Sequence, residues 1–231
     1  MQTAAVIRAT AREILRRRAA LAALVALPLA FYLARHEMTG QSIRMLCLGL
    51  AWAIATLALF TTVSSRDLDR RLRVFGYRWG ALTLGRLAAV ILVGLTLAAA
   101  YVLLILLDQD LGRPLGVVGM LALAVLIGAP LGQLVGALLG RELEGALVLL
   151  SVLAMQMIAD PDGTLAKLLP FWSIRQLGTW TVDGVDSSYL SSAVGHGAIS
   201  LIVLWALVAI SSGLRLRMHR AGAVAVDSRT G

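Results

Sequence analysis

Six apolar runs, each close to the length needed to cross a bilayer, most constrain the fold of this chain. They cover residues 19–34, 45–63, 87–107, 115–139, 145–158 and 194–214. Crossing about 30 Å of hydrocarbon takes roughly 17–25 helical residues, and a helix satisfies its own backbone hydrogen bonds in lipid. Hydrophobic residues make up 59% of the chain and charged residues 15%, against roughly 45–50% and 25% in soluble domains. The sequence therefore predicts an all-α integral membrane protein with six transmembrane helices in a single domain, 1–231.

Basic residues are distributed unevenly around these runs, and the imbalance predicts the orientation of the chain. If the N-terminus is cytoplasmic, sixteen of the 21 arginines and lysines fall on the cytoplasmic side, in 1–18, 64–86 and 215–231 and at Arg141. Cytoplasmic flanks of membrane spans carry such an excess, so both termini are expected to be cytoplasmic. The net charge of +8 then follows from topology, and no nucleic-acid partner is expected.

The longest cytoplasmic loop, 64–86, has the sequence SSRDLDRRLRVFGYRWGALTLGR. Its apolar residues repeat at steps of four and three: Leu68, Leu72, Phe75, Trp79 and Leu82. This spacing predicts one apolar helix face, and Gly76 and Gly80 predict a bend that divides it into two short pieces. Two interpretations stay open: the loop lies on the membrane surface, or it docks a cytoplasmic partner. In the second interpretation the contacting residues are Arg70, Arg71, Leu72, Arg73, Phe75 and Trp79.

Residues 1–18 predict an amphipathic helix that precedes the first run. Ile7, Ala11 and Ile14 share one arc of this helix. The neighbouring arc carries Arg8, Arg12 and Arg16. Such a helix would lie in the headgroup plane with its apolar side toward the lipid, although a basic flank without a mechanical role fits equally well.

The fourth run carries a glycine at every fourth position: Gly128, Gly132, Gly136 and Gly140. This spacing places the glycines on one ridge, against which another backbone can pack closely. Ordinary packing within the chain is one interpretation. The other is a surface on which helices slide during transport.

The segment 159–193 between the last two runs is too long for a simple hairpin connection. Leu165, Leu169 and Trp172 are spaced as one helical face, and Pro170 predicts a break. Tryptophans such as Trp172 and Trp180 settle at headgroup depth. We expect two short interfacial or re-entrant helices that cover the outer end as a lid, with Pro170, Trp172 and Trp180 as its residues. A solvated loop with aromatic anchors is the alternative.

Candidate catalytic and metal-binding residues are sparse. Ser42 is the one serine worth testing as a nucleophile, and it is far in sequence from His196, so no catalytic residue is predicted. Three histidines and one cysteine, Cys47, predict no metal site and no internal disulfide. The sole lysine, Lys167, has no phosphate-binding motif around it, so no ATP hydrolysis is expected in this chain.

The runs themselves contain no acid or base at mid-depth. Carriers that are driven by their own ion site keep ionisable residues there, so an apolar or amphipathic cargo is favoured.

Taken with the loop and the outer segment, the chain resembles the type 2 export permeases of ATP-binding cassette (ABC) transporters. Members of that family have acidic and basic residues after span two and a Gly-Lys pair at span three. Asp67 and Asp69 stand at the first place, and Gly85 and Arg86 stand at the second.

The resemblance implies six spans, a cytoplasmic coupling helix between spans two and three, and re-entrant outer helices. It further implies an export permease in a bacterial cytoplasmic membrane, paired with a second copy or a paralogue. A separate ABC ATPase, expected as a dimer, would bind ATP and magnesium, while this chain would hold no cofactor. The cargo would be a drug, a lipid or a lipophilic peptide. A membrane anchor or assembly subunit without transport activity stays open as the alternative.

Overall fold

The computed structural model of the protein describes residues 1–160 and 163–227, with side chains up to residue 214 except at position 39. Over those residues the chain is helical and contains no strand, which confirms the all-α class. In chain order the helices are α1 (Gln2–Arg16), α2 (Arg18–Leu33), α3 (Thr39–Ser64), α4 (Arg66–Val74), α5 (Trp79–Asp108), α6 (Pro114–Leu139), α7 (Glu142–Ile158), α8 (Thr164–Leu168), α9 (Trp172–Val182) and α10 (Ser187–Asp227). The end of the predicted tail, 228–231, lies outside the described residues.

In the part of the chain that the structure describes, four helices are long and apolar enough to cross a membrane. They are Gly40–Ser64, Trp79–Asp108, Pro114–Leu139 and Ser187–Leu214, of 25 to 30 residues each. At 1.5 Å per residue, even the shortest exceeds the roughly 30 Å of a hydrocarbon core. α2 has 16 residues and α7 has 17, so both are shorter than a typical span. The chain therefore has the composition and helix lengths of a membrane-embedded protein.

The helices extend beyond the apolar runs that predict them. α3 begins six residues before the run 45–63, and α5 begins eight residues before the run 87–107. The extension of α5 takes in Arg86, which is buried and paired with Asp69 of α4. Because this charge is neutralised inside the protein, it does not end the helix as hydropathy suggests. The last part of the predicted loop, residues 79–86, is therefore helical and forms the start of α5.

The centre of the bundle is the contact between α3 and α6. Within their most apolar windows, 61% of α3 and 67% of α6 is buried inside the protein, against 28% for both α5 and α10. A Cβ on Gly128 would lie 2.8 Å from the Ala51 carbonyl oxygen, and one on Gly132 would collide with the Ala55 carbonyl. The glycine ridge thus brings the two backbones together, with α3 and α6 running parallel. α5 and α10 leave broad apolar faces outside, the arrangement expected of helices that contact lipid.

Hydrogen bonds between helix ends define two ends of the bundle. At one of them Arg66, the first residue of α4, donates to the carbonyl of Gly136 near the end of α6 (2.7 Å). At the other, Arg113, just before α6, donates to the Trp180 carbonyl of α9 (2.7 Å). We call these the α4 end and the α9 end. Each carries one of the regions that the sequence singles out.

Candidate functional site

The α4 end is built around two arginines that fix α4 to the bundle. Arg86 of α5 donates to both carboxylate oxygens of Asp69, at 2.5 and 2.8 Å, and the side chains are 8% and 5% exposed. Arg66 donates to the carbonyls of Gly136 and Ala137, at 2.7 and 3.2 Å. Carbonyls at a helix C-terminus lack intrahelical partners and carry partial negative charge, so an arginine suits them. α4 is therefore tied to α5 through one residue and to α6 through the other.

Gly140, the last glycine of the ridge, packs closely against the Arg66 side chain. Gly140 has φ +71°, a left-handed conformation that favours glycine, and it ends α6. A Cβ there would collide with the Arg66 guanidinium. The four ridge glycines thus serve two contacts: Gly128, Gly132 and Gly136 pack on α3, and Gly140 makes room for the side chain that holds α4.

A tight turn follows α4 and presents an apolar tip. Gly76 has φ +85°, and the amide of Tyr77 donates to the Leu72 carbonyl (3.0 Å). Val74 is 87% exposed and Phe75 is 81% exposed. Large apolar side chains with that exposure have no packing role within the chain, so they are available to contact lipid or a partner. We call Val74 and Phe75 the α4 tip.

The other predicted docking residues differ in exposure and in their hydrogen-bond partners. Arg70 and Arg71 are exposed, and Arg70 pairs loosely with Asp67 (3.6 Å). Arg73 instead donates back to the Tyr77 carbonyl (3.2 Å), where it helps to close the turn. Leu72 is half-buried, and Trp79, the first residue of α5, is exposed.

The two helical pieces predicted for this loop are present, but their apolar residues do not form one stripe, and Gly80, where a bend is also predicted, lies within the helix α5. α4 ends at Val74, and a turn separates Leu68 and Leu72 from the residues that follow. Leu82 belongs to α5, where it is buried. Periodicity failed here because the turn at Gly76 changes the chain direction, so residues on either side no longer share a helix axis. The predicted bend at Gly76 is present.

α1 packs beside this region, along the start of α5. Gln2 donates to the Gly76 carbonyl (3.3 Å) and accepts from the Arg78 amide (3.2 Å). A Cβ on Gly85 would lie 2.8 Å from Val6, so the two helices approach closely. The face of α1 that is buried is centred on Val6, Thr10 and Ile14. Of the predicted apolar arc, Ile14 is buried, while Ile7 and Ala11 lie half-buried at its edge.

At the α9 end, two short helices cover the bundle, and Pro170 lies between them. The predicted shared face of Leu165, Leu169 and Trp172 is wrong, because α8 ends at Leu168 and α9 starts at Trp172. The backbone between the helices is extended at Leu169, which turns the two axes apart.

The two lid tryptophans pack on polar partners from other helices. The Trp172 ring meets His196 edge-on, with ring centroids 5.1 Å apart. The Trp180 ring lies 4.6 Å beneath the Arg113 guanidinium. Arg113 also donates to the carbonyls of Gly184 and Val185, so it holds α9 and the chain after it over the start of α6. Hydrogen bonds from the side chain of Ser188 and from Ser187 lower the pKa of Asp186 at the start of α10.

A cavity of about 560 Å³ opens at the α9 end between α3, α7 and α9. Arg44 on its wall pairs with Asp183 (2.6 Å). Arg175 donates to the Ala159 carbonyl (3.1 Å). Gln156 is 6% exposed, and neither its amide nitrogen nor its oxygen has a hydrogen-bond partner within residues 1–160 and 163–214. Sequence reasoning missed this cavity, and the signal available for it was Gln156, a polar side chain within an apolar run.

The residues considered for catalysis are engaged elsewhere. The hydroxyl of Ser42 accepts from Gln109 (2.9 Å). His196 donates through Nε2 to the Lys167 carbonyl (2.9 Å) and accepts at Nδ1 from Ser200 (3.3 Å). Across the described part of the chain, no cluster of three or more histidine, cysteine or acidic side chains is placed to hold a metal ion.

Comparison with known proteins identifies neither a family model nor a curated protein that matches this chain.

Proposed function

We propose that this chain is the permease subunit of an ATP-driven ABC exporter in a bacterial cytoplasmic membrane. The observation that carries the proposal is the α4 tip, an exposed apolar pair on a helix that is anchored to two membrane-length helices. A segment that only rested on lipid would need no such anchors. A segment that receives force from a partner needs both an exposed contact and stiff connections behind it.

Six crossings with both termini in the cytoplasm complete the proposal. α2 and α7 supply the two additional spans, which at 16 and 17 residues require local thinning of the bilayer. The hydrogen bonds at the two ends of the bundle agree with helices that alternate in direction. The excess of arginine around 1–18 and 64–86 favours a cytoplasmic location for the α4 end.

The proposed mechanism passes a displacement of α4 to the bundle by two routes. Asp69 and Arg86 carry it to α5, and Arg66 carries it to α6. Coupling between distant sites requires an element with two arrangements that both sites bias. A partner ATPase, holding ATP and magnesium, would favour one arrangement by binding the α4 tip differently in its two nucleotide states. A second permease copy or a paralogue would complete the pathway for an apolar or amphipathic cargo.

The docking test begins with affinity purification of the chain from its native membrane and identification of any co-purifying ATPase. Phe75→Ala should then weaken binding of that ATPase by on the order of 2 kcal/mol, roughly thirtyfold, as expected of an interface hot spot. Leu115→Ala is the matched control, because Leu115 is equally exposed (82%) but lies at the start of α6 at the α9 end. The double change Arg70→Ala/Arg71→Ala should have a smaller effect that shrinks as salt rises.

Equal ATPase binding by wild type and Phe75→Ala would reject the α4 tip as a docking surface. If the complex forms but reconstituted vesicles show no ATP-dependent movement of any amphipathic dye, the chain is an anchor or assembly subunit. Substrate turnover by the chain without a partner would instead identify an enzyme.

A further inference from the structure

The cavity at the α9 end contains a polar group that the protein itself does not satisfy. Gln156 lines the cavity and is buried, yet its amide has neither a donor nor an acceptor partner among the described residues. Most buried polar side chains are hydrogen-bonded, because an unpaired buried group loses its hydration without compensation. A ligand with hydrogen-bonding groups of its own would satisfy this amide.

The charges around the cavity favour an anionic group on that ligand. Arg44 is neutralised by Asp183. Arg175 donates to a backbone carbonyl, and within residues 1–160 and 163–214 no carboxylate pairs with it. The wall therefore retains one positive charge. A guanidinium has a planar set of donors that matches a carboxylate or a phosphate.

The remaining wall is mixed, with polar groups from Gln41, Gln176, Thr179 and Tyr189. Its apolar part includes the methionines and their neighbours Met45, Leu48, Ala51, Met120, Met157 and Phe171. Methionine side chains adjust to irregular shapes, so such a wall accepts a flexible tail. A volume of about 560 Å³ lies within the roughly 300–1,000 Å³ of small-molecule sites.

We infer that this cavity binds an amphiphile with an anionic head, a carboxylate or a phosphate, that contacts Gln156 and Arg175 while its tail lies along the methionine wall. The inference does not require the docking of an ATPase, and only the case in which the amphiphile is cargo rests on the proposed function. The amphiphile comes from one of two sources: a lipid of the surrounding membrane, or a free molecule that enters as cargo.

Binding is measured on the purified chain in a neutral detergent with a dansyl-labelled long-chain carboxylate. Its methyl ester, which has the same tail but no charge, is the matched probe. We expect the carboxylate to bind at least tenfold more tightly than the ester. Arg175→Met should abolish this preference, whereas Arg141→Met, at the α4 end, should leave it unchanged.

Gln156→Leu separates a binding role from a structural one. It replaces an unsatisfied amide with a side chain of similar size, so the empty protein should be at least as stable as wild type. Its affinity for the carboxylate should nevertheless fall roughly tenfold, because hydrogen bonds to a charged group are lost. Thermal unfolding measured without the probe establishes that any loss of affinity does not come from misfolding.

Mass spectrometry of lipids retained by the chain distinguishes the two sources. An anionic phospholipid that co-purifies with wild type, and is depleted in Gln156→Leu, would identify a resident lipid. Probe binding without a retained lipid would identify a free amphiphile. Equal affinity for the carboxylate and the ester, or unchanged affinity in Gln156→Leu, would overturn the inference, whatever the docking test shows for the α4 tip.

Discussion

Asp69→Asn should strongly destabilise the protein, because it leaves a buried guanidinium without its counterion. Arg86 is 8% exposed and directs two nitrogens at the two carboxylate oxygens of Asp69. An asparagine supplies one acceptor oxygen but no charge, and its amide hydrogens face the arginine donors. The charge of Arg86 then remains in a site from which water is excluded.

The expected magnitude follows from this burial. Removal of one partner from a buried, hydrogen-bonded ion pair costs about 3–5 kcal/mol, mostly as the desolvation of the remaining charge. Asp67 offers a matched control on the same helix, since its side chain is 86% exposed and its pairing with Arg70 is loose (3.6 Å). Asp67→Asn should change stability little, because exposed ion pairs contribute little.

The assay is unfolding of the purified protein in mixed micelles by added sodium dodecyl sulfate, followed by circular dichroism. Asp69→Leu/Arg86→Met should recover most of the loss, because apolar replacement of both partners removes the unpaired charge. If Asp69→Asn and Asp67→Asn unfold at the same detergent concentration, the pair is not buried as described. In that case α4 is not rigidly tied to α5.

Two further predictions concern packing and topology. Gly132→Leu should lower the thermal midpoint, because its side chain would meet the Ala55 backbone, and overpacking of this kind costs about 1–3 kcal/mol; Gly195→Leu, with nothing within 4 Å, is the control that should leave the midpoint unchanged. Cysteines introduced at Asp67 and Ser187, both exposed, should react with a membrane-impermeant maleimide from opposite sides of sealed vesicles, while the buried Cys47 stays unlabelled; reaction of both from one side would contradict the proposed topology.

The fold class could be predicted from the sequence because it depends on local properties. An apolar run such as 115–139 indicates directly that a segment is suited to lipid and not to water. The helix α6 (Pro114–Leu139) differs from that run by one residue. The turn after α4 was also predictable, because Gly76 interrupts the periodicity and adopts the left-handed conformation that favours glycine. Each of these inferences needs information from only a few neighbouring residues.

The tertiary pairing of charges was not predictable in the same way. Asp69 and Arg86 are 17 positions apart, and hydropathy treats both as reasons to end a span. Their mutual neutralisation depends on the turn after α4 bringing Asp69 close to Arg86, which the sequence makes possible but does not specify. The cavity was even harder to predict from the sequence. Gln156 and Arg175 come together only when α7 and α9 pack around α3.

The sequence predicts the glycine ridge, but only the structure identifies α3 as the helix that packs on it. Spacing alone predicts a close approach to some helix, and Ala51 and Ala55 of α3 supply the complementary small residues four positions apart. Because this contact lies at the centre of the bundle, movement there would require the α3 and α6 backbones to separate. α5 has less of its surface buried and is tied to α4 through Arg86, so it can shift at a lower cost in lost contacts. A displacement of the α4 tip should therefore move mainly α5, through Asp69 and Arg86, while the route through Arg66 moves α6 only together with α3. This favours the packing interpretation of the ridge over a sliding surface.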